Sequence, residues 1–365
     1  MTPRGRIRVL TLINHRESPG MKTTKRNIKA LSGLCMLTGL MSVQHAAQAQ
    51  TNVQFYGLVD EYVGSIKRSD QAQSTRVING GGTATSFWGI RGSEDLGGSL
   101  KAIFTLESFF QPDTGALGRN TTDPFFSKDA FVGLSGKYGQ ITAGRHTIPL
   151  FNALVAGNPF GGSLQLSPLM LQSFLPTYGR NLAGDSKWDN SVQYSTPVMN
   201  GFKTTVTVGT GETAGHNGNG NIGLAGNYAN GPLTATLVGQ QTRVGTGLAT
   251  ATPQQSVIMG GGTYNFTALK LYGTYYQAQI PLADIRDKTA QIGVMVPLGA
   301  GKISASWARS KIQARGVADV TRDGFAAGYE RSLSQRTALY AIYDYDKLNT
   351  NGSAGSVAFG MRHTF

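Results

Sequence analysis

Lys101 to Phe110 reads KAIFTLESFF, and its alternation decides the fold. In an extended segment successive side chains point to opposite faces, so Ala102, Phe104 and Leu106 share one face while Lys101, Thr105 and Glu107 share the other. The same contrast recurs outward along the chain: Ala130/Val132/Leu134 against Asp129/Ser135, Phe202/Thr204/Val206/Val208 against Lys203/Thr205/Thr207, and Ile303/Ala305/Trp307 against Lys302/Ser304/Ser306. It returns at Leu339/Ala341/Tyr343/Tyr345 against Asp344/Asp346. A helical period of 3.6 is almost absent.

Runs of this kind predict sixteen strands, at 52–66, 83–95, 98–110, 125–136, 139–149, 188–196, 201–209, 221–229, 232–243, 255–265, 268–280, 287–297, 301–312, 321–332, 335–347 and 355–365. Their connections alternate between tight turns, such as DLGG at 95–98, VMNG at 198–201 and LGAG at 298–301, and longer polar loops, of which 150–187 is the longest. An even number of antiparallel strands with short turns at one end and long loops at the other predicts an all-β, 16-stranded antiparallel transmembrane β-barrel. In lipid every backbone N–H and C=O must pair within the protein, and closure achieves this without an open edge. The ending FGMRHTF then reads as a final strand that pairs with the first and places Phe365 in an aromatic girdle as the barrel-closing terminus. A secreted soluble all-β protein, such as an adhesin, would also alternate. It would bury one face of each sheet in a packed apolar core, whereas here the second face carries Lys, Thr, Ser, Glu and Gly.

The formal charge of +13 over 365 residues suggests a nucleic-acid binder only until its distribution is read. Residues 1–49 hold eight Lys/Arg and one acid, leaving 25 basic and 19 acidic residues, a balance of +6, in the remainder. The stretch from Met21 combines a basic start, an apolar run from Ala30 to Met41 and the small-residue site Ala47-Gln48-Ala49. That is the pattern of a secretory signal over 21–49, with cleavage expected after Ala49. Residues 1–20, ahead of Met21, are expected to be a mis-assigned start, and 50–365 to form the barrel. The single cysteine, Cys35, lies within the signal, so the mature chain is expected to use neither disulfide nor thiolate chemistry.

Several stretches resemble the trimeric general porins of Gram-negative bacteria, particularly the β-proteobacterial branch. They are VQFYGLVDEYV at 53–63, SFWGIRGSEDLGGSLKAIFTLES at 86–108, AFVGLSGKYGQITAGRH at 130–146, DNSVQYSTPVMNGF at 189–202 and the closing FGMRHTF. The resemblance implies a homotrimer in the cell outer membrane, surrounded by lipid and lipopolysaccharide and assembled by machinery that reads the terminal aromatic residue. It further implies a third long loop folded into the lumen and passive diffusion of small hydrophilic solutes and ions.

Selectivity in such a pore is set by charges facing each other where the loop narrows it. The residues expected at the constriction are Arg91, Arg145, Lys101, Arg180, Glu107 and Asp129, with Asn158, Pro159, Phe160, Gly161 and Gly162 as the constriction loop. The sequence departs from the family, whose loops often read Pro-Glu-Phe-Gly-Gly here and whose walls often carry arginine where Phe87 and Gln193 stand. No acid lies between Asp129 and Asp185. A constriction with bases and no loop carboxylate predicts weak to moderate anion preference; a solute-selective anion channel on the same fold is the alternative. Alternation places Arg91 toward the lumen and Arg145 toward lipid, where a midplane arginine costs roughly 2 to 4 kcal/mol. A bulge at Gly144 is therefore expected to turn Arg145 inward. Lys203, Lys270, Lys302, Arg362, Asp60 and Asp344 also read as lumen-facing. The apolar side chains from Leu164 to Leu175 are expected to pack the loop against the wall, part of them as a short helix.

Catalysis and cofactors find no support. The G-x-G-x-x-G match at Gly218–Gly223 leads from a Gly/Asn-rich loop into a strand, not from a strand into a helix. The histidines of the mature chain, His146, His216 and His363, belong to no HExxH, and GxSxG and paired-cysteine motifs are missing. No enzyme, metal, cofactor or nucleic-acid partner is expected.

Overall fold

The computed structural model describes residues 52–175, 182–212, 220–243 and 254–365. The expected export signal, the segment 1–20 and Arg180 lie outside the described residues.

Strands follow one another as β1 (Asn52–Ile66), β2 (Thr75–Gly80), β3 (Phe87–Gly97), β4 (Leu100–Phe109), β5 (Ala130–Gly136) and β6 (Gly139–Thr147). Two helices come next, α1 (Pro149–Ala156) and α2 (Pro168–Phe174). The chain continues through β7 (Lys187–Ser195), β8 (Phe202–Gly209), β9 (Asn221–Asn230), β10 (Leu233–Arg243), β11 (Gln254–Asn265) and β12 (Lys270–Ile280). It ends with β13 (Ile285–Leu298), β14 (Gly301–Ala314), β15 (Val320–Ser332), β16 (Thr337–Leu348) and β17 (Gly352–Thr364). All pairings are antiparallel between neighbours, and β1 also pairs with β17, Leu58 opposite Thr364 and Ser65 opposite Val357. The seventeen segments form sixteen wall strands, because β2 and β3 are successive pieces of one strand: β1 pairs with β3 over Asn52–Leu58 and with β2 over Glu61–Ile66.

The second wall strand does not begin at 83, as alternation suggests. It begins at Thr75 and breaks at 81–86, where Gly81 has φ 82°. Asp60 explains how the break survives inside the wall. Its carboxylate accepts hydrogen bonds from the backbone N–H groups of Thr83 (3.0 Å) and Ala84 (3.1 Å) and from the Tyr340 hydroxyl (2.5 Å), and its main-chain O accepts from Gly81 N–H (2.8 Å). Donors that the missing ladder would leave unpaired are satisfied by one residue. Asp60 is fully buried, a structural bracket rather than a solvated lumen charge.

Turn chemistry sets the short end. Asn200 (φ 51°) and Gly201 (φ 85°) are both left-handed, the geometry of a two-residue hairpin whose twist matches the strands it joins. Large apolar side chains stand on the outer wall, with Leu237 71% and Ile258 72% exposed. Inside, burial comes from α1 and α2, which lie against the wall. Leu150, Leu154, Leu169 and Met170 pack with Ala225, Val238, Met259, Tyr276 and Ala308; Phe160 and Leu166 pack with Tyr62, Tyr340 and Ile342. The loop thus covers the inner faces of the later strands and leaves the wall from β3 to β6 uncovered.

Closure at the terminus is reciprocal. Gly57 N–H donates to Phe365 O and Phe365 N–H donates to Gly57 O, both at 3.1 Å. The Phe365 ring lies 5.6 Å from Phe55, which continues to Trp88 at 6.2 Å. A Cβ on Gly57 would meet the Phe365 ring at 2.5 Å.

Candidate pore constriction

Both helices of the loop start at a proline, which fixes φ where no N–H is needed. The loop is pinned to the wall by polar contacts. The Thr274 hydroxyl donates to Gly157 O (2.9 Å), Gln172 Nε2 to Ala308 O (3.2 Å) and the Ser163 hydroxyl to Gly82 O (2.7 Å). At the tip Asn158 donates to Leu154 O (2.7 Å) and Gly161 O (3.0 Å) and accepts from Phe160 N–H (3.0 Å). Asn158 builds the turn and Phe160 anchors it, so the tip Asn158-Pro159-Phe160-Gly161-Gly162 presents no charge to the opening.

On the uncovered wall, Arg91 donates from Nε (3.0 Å) and Nη2 (2.8 Å) to Gln54 Oε1 and stacks 4.5 Å from the Tyr56 ring. Tyr56 OH donates to Glu107 (2.6 Å), and Lys128 binds the other Glu107 oxygen (2.6 Å) while lying 4.0 Å over Phe87. Phe87 therefore supplies a face for a cation at a position where the family resemblance implies the cation itself. Asp129 accepts from Thr147 N–H (2.5 Å) and sits 3.8 Å from Lys187 and 3.9 Å from Lys128.

The register of β6 against β7 shifts between Gly144 and His146. Gly144 has φ 142°, and a Cβ there would stand 2.1 Å from Ala130 O. Beyond the shift Arg145 donates to Ser127 O from Nε (3.1 Å) and Nη2 (3.0 Å) and pairs with Asp189 (2.5 Å) and Asp185 (3.3 Å). Asp185 also receives a two-pronged contact from Arg119 (2.8 and 2.7 Å), which in turn holds Asp123 (2.8 Å). Burial works to raise the Asp185 pKa, but the hydrogen bonds and charge of Arg119, with Arg145, prevail and bring it down to about 2. Asp123 is likewise lowered, burial again being outweighed by Arg119. Arg145, Arg119, Asp185 and Asp189 line a cleft of roughly 630 Å³, with Phe151, Leu164 and Phe174 of the loop across from them.

Arg91, Glu107 and Asp129 thus stand in linked contacts on the uncovered wall, and Arg145 joins an ion-pair network beside them. Lys101 does not join them: it is exposed opposite Asp95 and Ser135, next to the short turn and about 20 Å along β4 from Glu107. Sequence reasoning misses Arg119, Lys128, Asp185, Asp189 and Lys187 as partners. Parity of each strand is the only signal available to it, and these residues lie in loops or beside bulges, where parity fails.

A family model for Gram-negative porins matches residues 37–351. The chain belongs to the Gram-negative porin family. This porin is 30% identical to outer membrane porin protein 32 of Delftia acidovorans, over 88% of its own length and 91% of that protein's. It is 26% identical to an outer membrane porin protein of Bordetella pertussis, over 92% of its length and 100% of that protein's. Among solved structures it resembles the anion-selective porin from Comamonas acidovorans, with a TM-score of 0.73, 27% identity and coverage of 87% of this chain and 100% of that one. OmpT of Vibrio cholerae in its trimer form shares the fold alone, at 16% identity, a TM-score of 0.65 and coverage of 86% and 99%.

Proposed function

We infer that the protein is an outer-membrane porin that passes small hydrophilic solutes and ions by diffusion through a water-filled lumen, with weak to moderate anion preference. One observation carries the preference. On the short-turn half of the inner wall Lys101, Lys203, Lys270, Lys302 and Arg362 stand against Asp95, Glu330 and Asp60, the last opposite Arg362 in register: five cations and three carboxylates. Around the loop, by contrast, Arg119, Arg145, Lys128 and Lys187 are matched by Asp123, Asp129, Asp185, Asp189 and Glu107. The positive field of the short-turn half lowers the barrier to anions, in keeping with the selectivity of the Comamonas relative. Reversal potential across a planar bilayer under a KCl gradient tests this; a cation preference overturns it.

The working unit is taken to be a homotrimer, as in the trimer form of OmpT, set in outer-membrane lipid and lipopolysaccharide. Delivery follows an export signal at 21–49 and assembly machinery that engages the Phe365 end. An unboiled trimer band on a denaturing gel, and a mature N-terminus at Gln50, are the expected results.

A further inference from the structure

On the outer wall, neighbouring strands gather basic side chains at their long-loop ends. Arg286 and Lys288 of β13, Arg309 and Lys311 of β14 and Lys347 of β16 are exposed and share the outward phase of Ile292, Trp307 and Tyr343. Two carboxylates answer them: Asp323 of β15 pairs with Arg309 and Asp319 of the following loop edge with Lys311, both at 2.7 Å. The other charged groups at this end of the four strands, Asp287, Arg322, Asp344 and Asp346, are buried on the inner phase, and the loops add one charge of each sign, Asp284 and Arg315. Five cations against two carboxylates leave a surplus of three positive charges on the outer face. Arg286, Lys288 and Lys347 make no ion pair among the described residues.

Lys288 stands directly opposite Lys311 in the pairing of β13 with β14. Like charges so placed repel, with Cβ atoms roughly 5 Å apart. No neighbouring strand offers Lys288 a carboxylate, since β12 presents Gln277 and Gln279 beside Lys288 and Arg286. A shared anion would relieve that repulsion.

The row beneath says what carries the anion. About 7 Å nearer the middle of the wall than Arg309 and Lys347, Ile292, Trp307, Phe325 and Tyr345 stand opposite one another across the four strands. Aromatic side chains of this kind mark the boundary between hydrocarbon and headgroups, and the long-loop end of such a barrel faces outward from the cell. The basic side chains therefore stand at the headgroup height of the outer leaflet. A phosphate there accepts charge-assisted hydrogen bonds from two cations at once, and acyl chains attached to it run down over the apolar row. Inorganic phosphate would use only the charges, and the same face of a second copy would bring the same positive surplus.

We propose that the outer face of β13 and β14 is a binding site for a phosphorylated, acylated headgroup lipid of the outer leaflet, its phosphate shared by Lys288 and Lys311 and its chains lying on Ile292 and Trp307. The proposal rests on the outer-membrane reading and adds to it the residues that hold one lipid in place.

The test is a titration of the full chain, refolded free of native lipid in dodecyl maltoside, with diphosphoryl lipid A, read as lipid-bound mass by native mass spectrometry. Binding should saturate, and lipid A stripped of its phosphates should bind at least about tenfold more weakly. Lys288→Gln with Lys311→Gln should raise the dissociation constant by about tenfold or more, the size of one lost charge-assisted hydrogen bond, while Lys288→Arg with Lys311→Arg should keep it within about threefold. Lys137→Gln removes a charge from a short turn at the far end of the barrel and should leave binding within about twofold. Single-channel KCl conductance of the double glutamine variant should be unchanged, because the site lies outside the lumen. Equal binding of the dephosphorylated lipid, equal losses in the Lys137 and double variants, or displacement of lipid A by an equal concentration of inorganic phosphate overturns the site. Loss of the unboiled oligomer band in the double glutamine variant, with lipid affinity unchanged, gives the face to a second copy and overturns it as well. A chain that conducts but fails these binding tests keeps the pore and loses the site; one that passes them and forms no channels keeps the site and loses the pore.

Discussion

The two sides of the loop carry similar side chains arranged to opposite effect. At the long-loop side Arg119 and Arg145 are pinned by Asp123, Asp185 and Asp189, so their charges order the backbone and cancel. At the short-turn side Lys101, Lys203 and Lys270 face the lumen with no ion pair among the described residues. A charge that is paired fixes structure; one left facing water sets the field a passing ion meets. The loop tip, bare of charge and anchored by Phe160, divides the two.

The sharpest way to break the comparison is at Gly144. Gly144→Val places a side chain 2.1 Å from Ala130 O in a left-handed backbone, at a cost of about 3 kcal/mol or more. Loss of the heat-modifiable folded band is the expected outcome. Next in size, Lys101→Glu with Lys203→Glu turns the surplus on the short-turn half into a deficit and should invert the sign of the reversal potential. Asp185→Asn should act the other way and more weakly: with Arg119 and Arg145 partly released, anion preference rises, by a factor of roughly two to three for one exposed charge.

Acid titration separates the two sides further. Because the folded pKa of Asp185 is depressed to about 2, its contribution to stability is fully present above the ordinary carboxylate pKa and is lost as pH falls through about 2. The difference in denaturant midpoint between the unmodified chain and Asp185→Asn should therefore stay constant from about pH 7 to pH 5 and shrink below about pH 4. The smallest effect belongs to Arg91→Gln, which should change conductance by less than about twofold, because a single exposed arginine is largely screened at about 0.15 M salt.

Much of this fold was legible because alternation is a local property. Strand parity gave the outward face of Val132, Phe202, Ile303 and Leu339, and the pairing of the closing strand with the first. It did not give the start of the second wall strand, since Gly80-Gly81-Gly82 carries no side chain to alternate and the break is held by Asp60 from another strand. Nor did parity reveal the partners of Arg145. Asp185 and Asp189 are 40 and 44 residues away in sequence; the return of the loop brings the first within reach, and the shifted pairing of β6 with β7 the second.

By itself, then, the sequence determined the barrel and its polar lining with the charges it carries, because a strand's two-residue period sorts side chains by face without reference to any distant residue. Which of those charges remain available to an ion was decided by the tertiary structure alone. Pairing depends on where a folded loop and a bulge carry carboxylates in space, and no periodicity encodes that distance.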